Sequence, residues 1–311
     1  MFNNKMVRSA GIAVLFLLLI AAGVVYCDRT ASADEKLAFT NRAPVIRVGD
    51  SKLFAVNLEG ASWASSNRQV ADFSGNGTLV ARRSGSTIVT AAVGAQSVSM
   101  EVRVKPVLTV GIDPGHQAHI DHETEPNGPG SSVQRIKASG GAKGVSTGKA
   151  EYQLNLEIAG LLQDALEKRG YRVVLSRTDN GADLSNMQRA LKLNRSCDAV
   201  IRLHADGGAA SERGALALYP SQDNAFVGEL SDASERLSED ILNAYCAATG
   251  MKNLGTVTRD DLSGMNWSEV PVTMLEMGFM SNVVDDEYMS SPHGQRAMAE
   301  GIADGVDAYF R

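Results

Sequence analysis

The stretch VLTVGIDPGH, running from Val107 to His116, decides the fold. Val107, Leu108, Val110 and Ile112 form a compact apolar run rich in β-branched residues, the pattern of a strand buried in a parallel sheet. Asp113, Pro114 and Gly115 predict its end, because proline cannot extend the hydrogen-bond ladder and glycine permits a sharp turn. His116 therefore falls just past the carboxyl end of a strand, where open α/β sheets bind their ligands. Alone, it reads either as a metal ligand or as a turn residue with a satisfied hydrogen bond. Residues further along the chain decide between the two.

Gln117 to Gly148, rich in Gly, Ser and Pro, reads as a long loop, of the kind that is usually functional or mobile. Its His119, His122, Glu123 and Glu125 compete as metal ligands, but a flexible loop preorganises ligands poorly. They are expected to be solvated or to rim a groove. From Lys149 the pattern is helical: Leu154, Ile158, Leu161, Leu162, Ala165 and Leu166 form one apolar stripe. Gly170 ends this helix, with Lys168 and Arg169 in its last turn. Glu151 lies in the first turn, at the end that faces the carboxyl edge of the sheet in a βαβ unit. It reads as a functional acid or as a dipole partner. Asn155, four residues on, shares its face and could orient it.

Arg172–Arg177 is the next predicted strand, Leu184–Asn194 a helix, and Ala199–Leu203 a strand that ends in His204-Ala205-Asp206-Gly207. This repeats the opening logic of an apolar strand closed by a histidine. Arg202 shares side-chain parity with His204. It is either a clamp for an anionic group or a strand-edge charge. Gly214–Tyr219 is a further strand, Glu229–Thr249 a helix, Gly255–Thr258 an edge strand and His293–Phe310 a closing helix. Glu276 ends the apolar run Val272-Thr273-Met274-Leu275, where a charge is expensive unless paired or bound to metal. The alternative there is a structural salt bridge.

Upstream, Thr40–Val104 changes character. Short β-rich runs alternate with Gly-containing turns, which suggests a small β-sandwich. Its phrases Val48-Gly49, Ala61–Asn67, Val70-Ala71, Gly77–Ala81 and Gly85–Ala91 resemble the bacterial immunoglobulin-like group 2 domain, with Trp63 as its core tryptophan. That resemblance implies a spacer, with contact to cell-wall polymer as the functional rival. Lys5 and Arg8 precede an apolar run from Ala10 to Tyr26, and Ala31-Ser32-Ala33 offers a small-residue cleavage site. The run, roughly 17 residues, is at the lower limit for spanning a bilayer. It reads as a cleaved export signal, with an uncleaved membrane anchor or a lipoprotein anchor at Cys27 as alternatives. Each engages the membrane at least during export and puts the rest of the chain outside it. The resulting division is 1–33 signal or anchor, 34–43 linker, 44–105 Ig-like domain and 107–311 α/β domain, a mostly parallel twisted sheet flanked by helices.

A chain of 311 residues with 44% hydrophobic and 21% charged residues is ordinary globular protein, long enough for two domains. The net charge of −6 gives no reason to expect a nucleic-acid partner. Cys197 and Cys246 fit no zinc–cysteine spacing and are expected to be free thiols.

Two histidines and two glutamates thus fall at corresponding ends of elements in one α/β domain. Two histidines and a carboxylate form a catalytic zinc set with an open position for water, and a further carboxylate can serve as general base. The motifs Asp113-Pro114-Gly115-His116, Glu151 with Asn155, Arg202-Leu203-His204-Ala205-Asp206 and Leu275–Asn282 resemble, in order, those of the zinc-dependent N-acetylmuramoyl-L-alanine amidases of the type-3 family. The resemblance covers Val107 to Arg311. It implies that His116, Glu151 and His204 hold zinc, that Glu276 is the catalytic base and that peptidoglycan is the substrate. It departs from the family pattern at Arg202, where a small polar residue is frequent, and in the longer Gln117–Gly148 segment. Some members carry an inhibitory helix. None is identified here, Gln222–Ser234 being the nearest candidate. The rival readings are an exported zinc peptidase acting on the stem peptide and a non-catalytic wall-binding protein.

Overall fold

The computed structural model describes residues 35–311, so the expected export segment, 1–33, lies outside the described residues. The chain divides between Pro106 and Val107 into two compact units.

The first unit is a sandwich of two small sheets. Strands β1 (Val45–Arg47), β7 (Gln96–Lys105), β6 (Gly85–Val93) and β3 (Ser62–Ser65) make one sheet in that order; β2 (Ser51–Leu53), β5 (Thr78–Ala81) and β4 (Ala71–Phe73) make the other. Alternate residues of β5, β6 and β7 turn inward, and Ile46, Phe54, Val70, Leu79, Val89, Val102 and Val104 form the core. Trp63 is half-buried and packs against Phe73, with ring centroids 5.3 Å apart. Residues 35–43, expected as a linker, are instead strapped onto this sandwich. Leu37 is buried, Leu37 N donates to Gln96 Oε1 at 2.7 Å, and Phe39 packs on Phe54 and Trp63. An apolar Leu37 and Phe39 beside an open sheet end gain more by burial than by solvation, which a composition-based boundary does not register.

The second unit has one six-stranded sheet, ordered β11 (Arg172–Leu175), β8 (Thr109–Pro114), β12 (Ala199–Asp206), β15 (Val272–Phe279), β13 (Ala215–Tyr219) and β14 (Asn253–Thr258). It is mostly parallel; the β13–β15 pair is antiparallel, so β13 and its parallel neighbour β14 run opposite to the other four strands. Pleating separates two faces. Ile201, Leu203 and Ala205 of β12 face an apolar layer with residues of α1 (Glu151–Lys168), α3 (Ser231–Thr249) and α6 (Pro292–Tyr309). Val200, Val272 and Met274 face the opposite layer with Leu193 of α2 (Asn186–Asn194) and Met265 of the short α4 (Ser263–Asn266). Helix α5 (Val283–Ser290), capped by Asn282, was not anticipated from the periodicity. Cys197 and Cys246, expected to be buried free thiols, are both free, but only Cys197 is buried; Cys246 is half-buried. Among the described residues no helix is long and apolar enough to cross a membrane.

Two further expectations need correction. Gln117–Gly148 is not a bare loop: it contains the antiparallel hairpin β9 (Asp121–Pro126) and β10 (Gln134–Ala138). Glu125 is neither solvated nor at a groove rim. It is buried, accepts from Met187 N at 3.0 and 3.2 Å in the first turn of α2, and accepts from Ser263 Oγ at 2.6 Å. The carboxylate thus caps a helix N-terminus and fastens the hairpin to the domain.

Candidate active site

Strands β8, β12 and β15 are neighbours, so their carboxyl ends converge. His116 follows β8, and His204 lies in β12 directly beside Glu276 of β15, the two being in register. The β8–α1–β11 crossover brings the N-terminus of α1, and with it Glu151, to the same edge. His116, Glu151 and His204 offer donor atoms that all lie within 4.8 Å of one another. A Cβ on Gly115 would collide with the His204 ring, and one on Gly141 would collide with Glu151 and His116. Glycine at both positions lets backbone close around the cluster.

The hydrogen bonds settle which atoms face inward. His116 Nδ1 lies 2.9 Å from the Ser139 carbonyl oxygen and 3.0 Å from Ser139 Oγ; the carbonyl can only accept, which favours the tautomer with the proton on this nitrogen. His116 Nε2 then presents a lone pair to Glu151 Oε1 at 3.2 Å. His204 Nδ1 is also 3.2 Å from that same oxygen, while His204 Nε2 is buried without a hydrogen-bond partner. Glu151 is held from behind: Oε2 accepts from Ala142 N at 2.7 Å, and Oε1 from Ala205 N at 3.1 Å. Asn155 Nδ2 reaches Glu151 Oε1 at 3.3 Å and the Gly115 carbonyl at 3.2 Å. The sequence had placed Asn155 behind Glu151, and there it stands.

Burial alone would raise the Glu151 carboxyl, but in the metal-free site the two histidines beside it, when protonated, donate to it and hold it well below the usual carboxylate range. Burial pushes His204 down, which favours the neutral ring. Glu276 is pushed well above the usual range, first by burial and then by the negative charges of Glu151 and Asp206, with Arg259 opposing. Two carboxylates and a histidine lone pair facing one another make a site that favours a cation. Donors sharing one tetrahedral ion at about 2.0–2.1 Å stand about 3.3 Å apart, close to the two 3.2 Å separations here. The residues present therefore fit a metal.

A cavity of about 240 Å³ opens beside the cluster, lined by His116, Ser139, Asn186, Arg202, His204 and Glu276 among others. No residue of Gln222–Ser234 lines it. His119 and His122 stand apart from the cluster, and His119 lies 3.8 Å from exposed Asp183. Arg202 is not a strand-edge charge. It is buried, pairs with Asp113 Oδ2 at 2.9 Å, and donates to Gly264 O and Asn186 Oδ1. Burial would raise Asp113, yet Arg202 and Arg189 hold it well below the usual range. Sequence reading missed Ser139, the Ala142 amide and two further buried arginines, Arg177 and Arg189. The detectable signal was Arg189 itself, a charge on the otherwise apolar side of α2.

Fold and site define a class: a mixed α/β catalytic domain with two histidines and two carboxylates gathered at the carboxyl edge of its sheet. The family model described as N-acetylmuramoyl-L-alanine amidase matches residues 110–308. N-acetylmuramoyl-L-alanine amidase Rv3717 of Mycobacterium tuberculosis is 32% identical over 215 residues, spanning 65% of this chain and 86% of the relative. Among solved structures, the N-acetylmuramyl-L-alanine amidase Ami1 of Mycobacterium smegmatis is similar at 26% identity and a TM-score of 0.59, over 65% of this chain and 96% of that one. The apo form of Ami1 from Mycobacterium abscessus gives 27% identity and a TM-score of 0.59, over 66% and 99%. The chain belongs to the N-acetylmuramoyl-L-alanine amidase family and is a peptidoglycan amidase.

Proposed function

We propose that this is a zinc-dependent amidase in which His116, Glu151 and His204 hold the metal and Glu276 is the catalytic base. The observation that carries the reading is the pair of 3.2 Å separations from one Glu151 oxygen to nitrogens of His116 and His204. When bound, zinc would supply Lewis acidity and lower the pKa of a water toward ~7.

The bond to be broken joins the lactyl carbonyl of muramic acid to the nitrogen of L-alanine. Glu276 takes a proton from the attacking water as the new carbon–oxygen bond forms. It then passes that proton to the departing nitrogen as the carbon–nitrogen bond breaks. The products are a lactyl carboxylate and a free amine on L-alanine. Asn155, the Ala142 amide and the Ala205 amide hold Glu151 in place while this happens.

Peptidoglycan lies outside the cytoplasmic membrane, which agrees with the export segment read in residues 1–33 and supports extracytoplasmic action. The sandwich serves as an Ig-like group 2 spacer, with contact to wall polymer as the rival reading. Metal analysis of the purified full-length chain tests the ligand set. Stoichiometric zinc is expected in the wild type and its loss in His116→Ala and His204→Ala. Wild-type zinc content in either variant contradicts the assignment.

A further inference from the structure

We infer that Arg189, acting with Arg177, is a positioning residue for His116 and thereby sets how tightly the metal is held. The inference rests on the zinc reading of His116, Glu151 and His204.

His116 is the one non-glycine residue with positive φ among the described residues, at 60°. Such a conformation is strained and persists only where the surroundings over-determine it. Here two guanidinium groups do so. Pro114 O accepts from Arg177 Nε at 2.9 Å and Arg189 Nη1 at 2.8 Å. Gly115 O accepts from Arg177 Nη2 at 3.1 Å, and His116 O from Arg189 Nη2 at 2.9 Å. Three consecutive carbonyls are thereby fixed in direction, and the third belongs to the ligand itself. Arg189 Nη2 also donates to Gln117 Oε1 at 2.6 Å, which holds the residue after the histidine.

Both arginines are buried, and Asp113 at the start of the turn supplies the counter-charge, 3.1 Å from Arg189 Nη1. Arg177 Nη2 further donates to Tyr152 O at 2.7 Å, in the first turn of α1. The frame thus ties the His116 turn to the helix that carries Glu151. A buried guanidinium needs acceptors for all of its N–H donors whatever its role; what marks these two is where the acceptors lie. These two spend their forks on the backbone around a strained ligand. A lysine keeps the charge but not the planar fork.

The test is Arg189→Lys in the full-length chain. Zinc affinity is read by chelator competition, ligand geometry by the visible spectrum of the cobalt-substituted protein, and folding by the thermal melt of the metal-free protein. We expect a cooperative melt, zinc bound about 10–100-fold more weakly, and a changed cobalt spectrum. Gln117→Met removes the side-chain acceptor of Arg189 and spares the Asp113 pair. It is expected to weaken zinc in the same direction by less, and it decides the matter where Arg189→Lys fails to fold. Wild-type zinc affinity with a wild-type cobalt spectrum, in Arg189→Lys or in the Gln117→Met that replaces it, overturns the inference and leaves the zinc site standing. A wild-type chain that binds no zinc overturns the zinc reading and this inference with it.

Discussion

In the sandwich, Ile46, Phe54, Leu79, Val89, Val102 and Val104 meet at the centre, and the buried polar side chains among the described residues are Asp72 and Thr87. At the carboxyl edge of the α/β sheet, Asp113, Glu151, Arg177, Arg189 and Arg202 are all taken out of water together. The first arrangement gains stability from apolar area at about 25 cal/mol per Å². The second incurs desolvation of charge, which close pairing offsets but seldom exceeds. What the second gains is direction: fixed carbonyls, a fixed histidine tautomer and a carboxylate held by two backbone amides. The contrast separates a unit built for cohesion from one built for geometry.

Glu276→Gln should give the largest effect. It keeps the shape of the site but removes the proton acceptor, so zinc content should hold while turnover falls about 10²–10⁴-fold. Assay of wall hydrolysis beside metal analysis checks both halves. A variant with full turnover would remove Glu276 from the mechanism.

Asp113→Asn comes next, because it leaves buried arginines without their counter-ion. A loss of about 3–5 kcal/mol is expected from denaturant unfolding. Asp113 is depressed in the fold, so its stabilising contribution is complete above the ordinary aspartate value of about 3.9 and is lost as pH falls toward its folded value. The gap between wild type and Asp113→Asn should therefore narrow in acid. Leu79→Ala in the sandwich should cost about 2–5 kcal/mol for its own unit, yet leave zinc affinity unchanged. Zinc lost together with Leu79 would collapse the contrast between the two regions.

Glu276 shifts in the opposite sense from Asp113. In the metal-free chain its folded pKa is raised, so its contribution is fully present below about pH 4.3, the ordinary glutamate value, and is lost as pH rises toward the folded value. Metal-free Glu276→Gln should therefore melt above metal-free wild type at neutral pH, and the difference should shrink in acid. Equal melting temperatures at neutral pH would show that the carboxylate is not crowded. The smallest effect belongs to Lys137, which pairs with Glu123 at 2.7 Å on the exposed hairpin. Lys137→Ala should change stability by less than about 1 kcal/mol and leave hydrolysis unchanged.

Much of this contrast was legible in the chain. His116 just past β8, and His204 and Glu276 near the carboxyl ends of β12 and β15, carry their position in local pattern, although both strands run on, to Asp206 and Phe279, beyond where the apolar runs stop. Asn155 was legible because helical spacing put it on the face of Glu151. Glu125 was not, because its partners Met187 and Ser263 lie 62 and 138 residues away in sequence. Arg189 was visible as a charge on an apolar helix side, but its partners, like those of Arg202, were illegible for the same reason. Their acceptors are backbone carbonyls and a carboxylate brought close only by the crossover of β8 and β12. Leu37 and Phe39 escaped because a short apolar pair beside a domain reads like linker until the sheet it covers is known.

The most direct test digests purified peptidoglycan with the metal-free chain, the zinc-reconstituted chain and zinc-reconstituted Glu276→Gln, and identifies the products by mass spectrometry. The account expects intact stem peptides beginning with a free L-alanine amine, from the zinc-loaded wild type alone. Cleavage inside the stem peptide, or the same products from the metal-free chain, would contradict it.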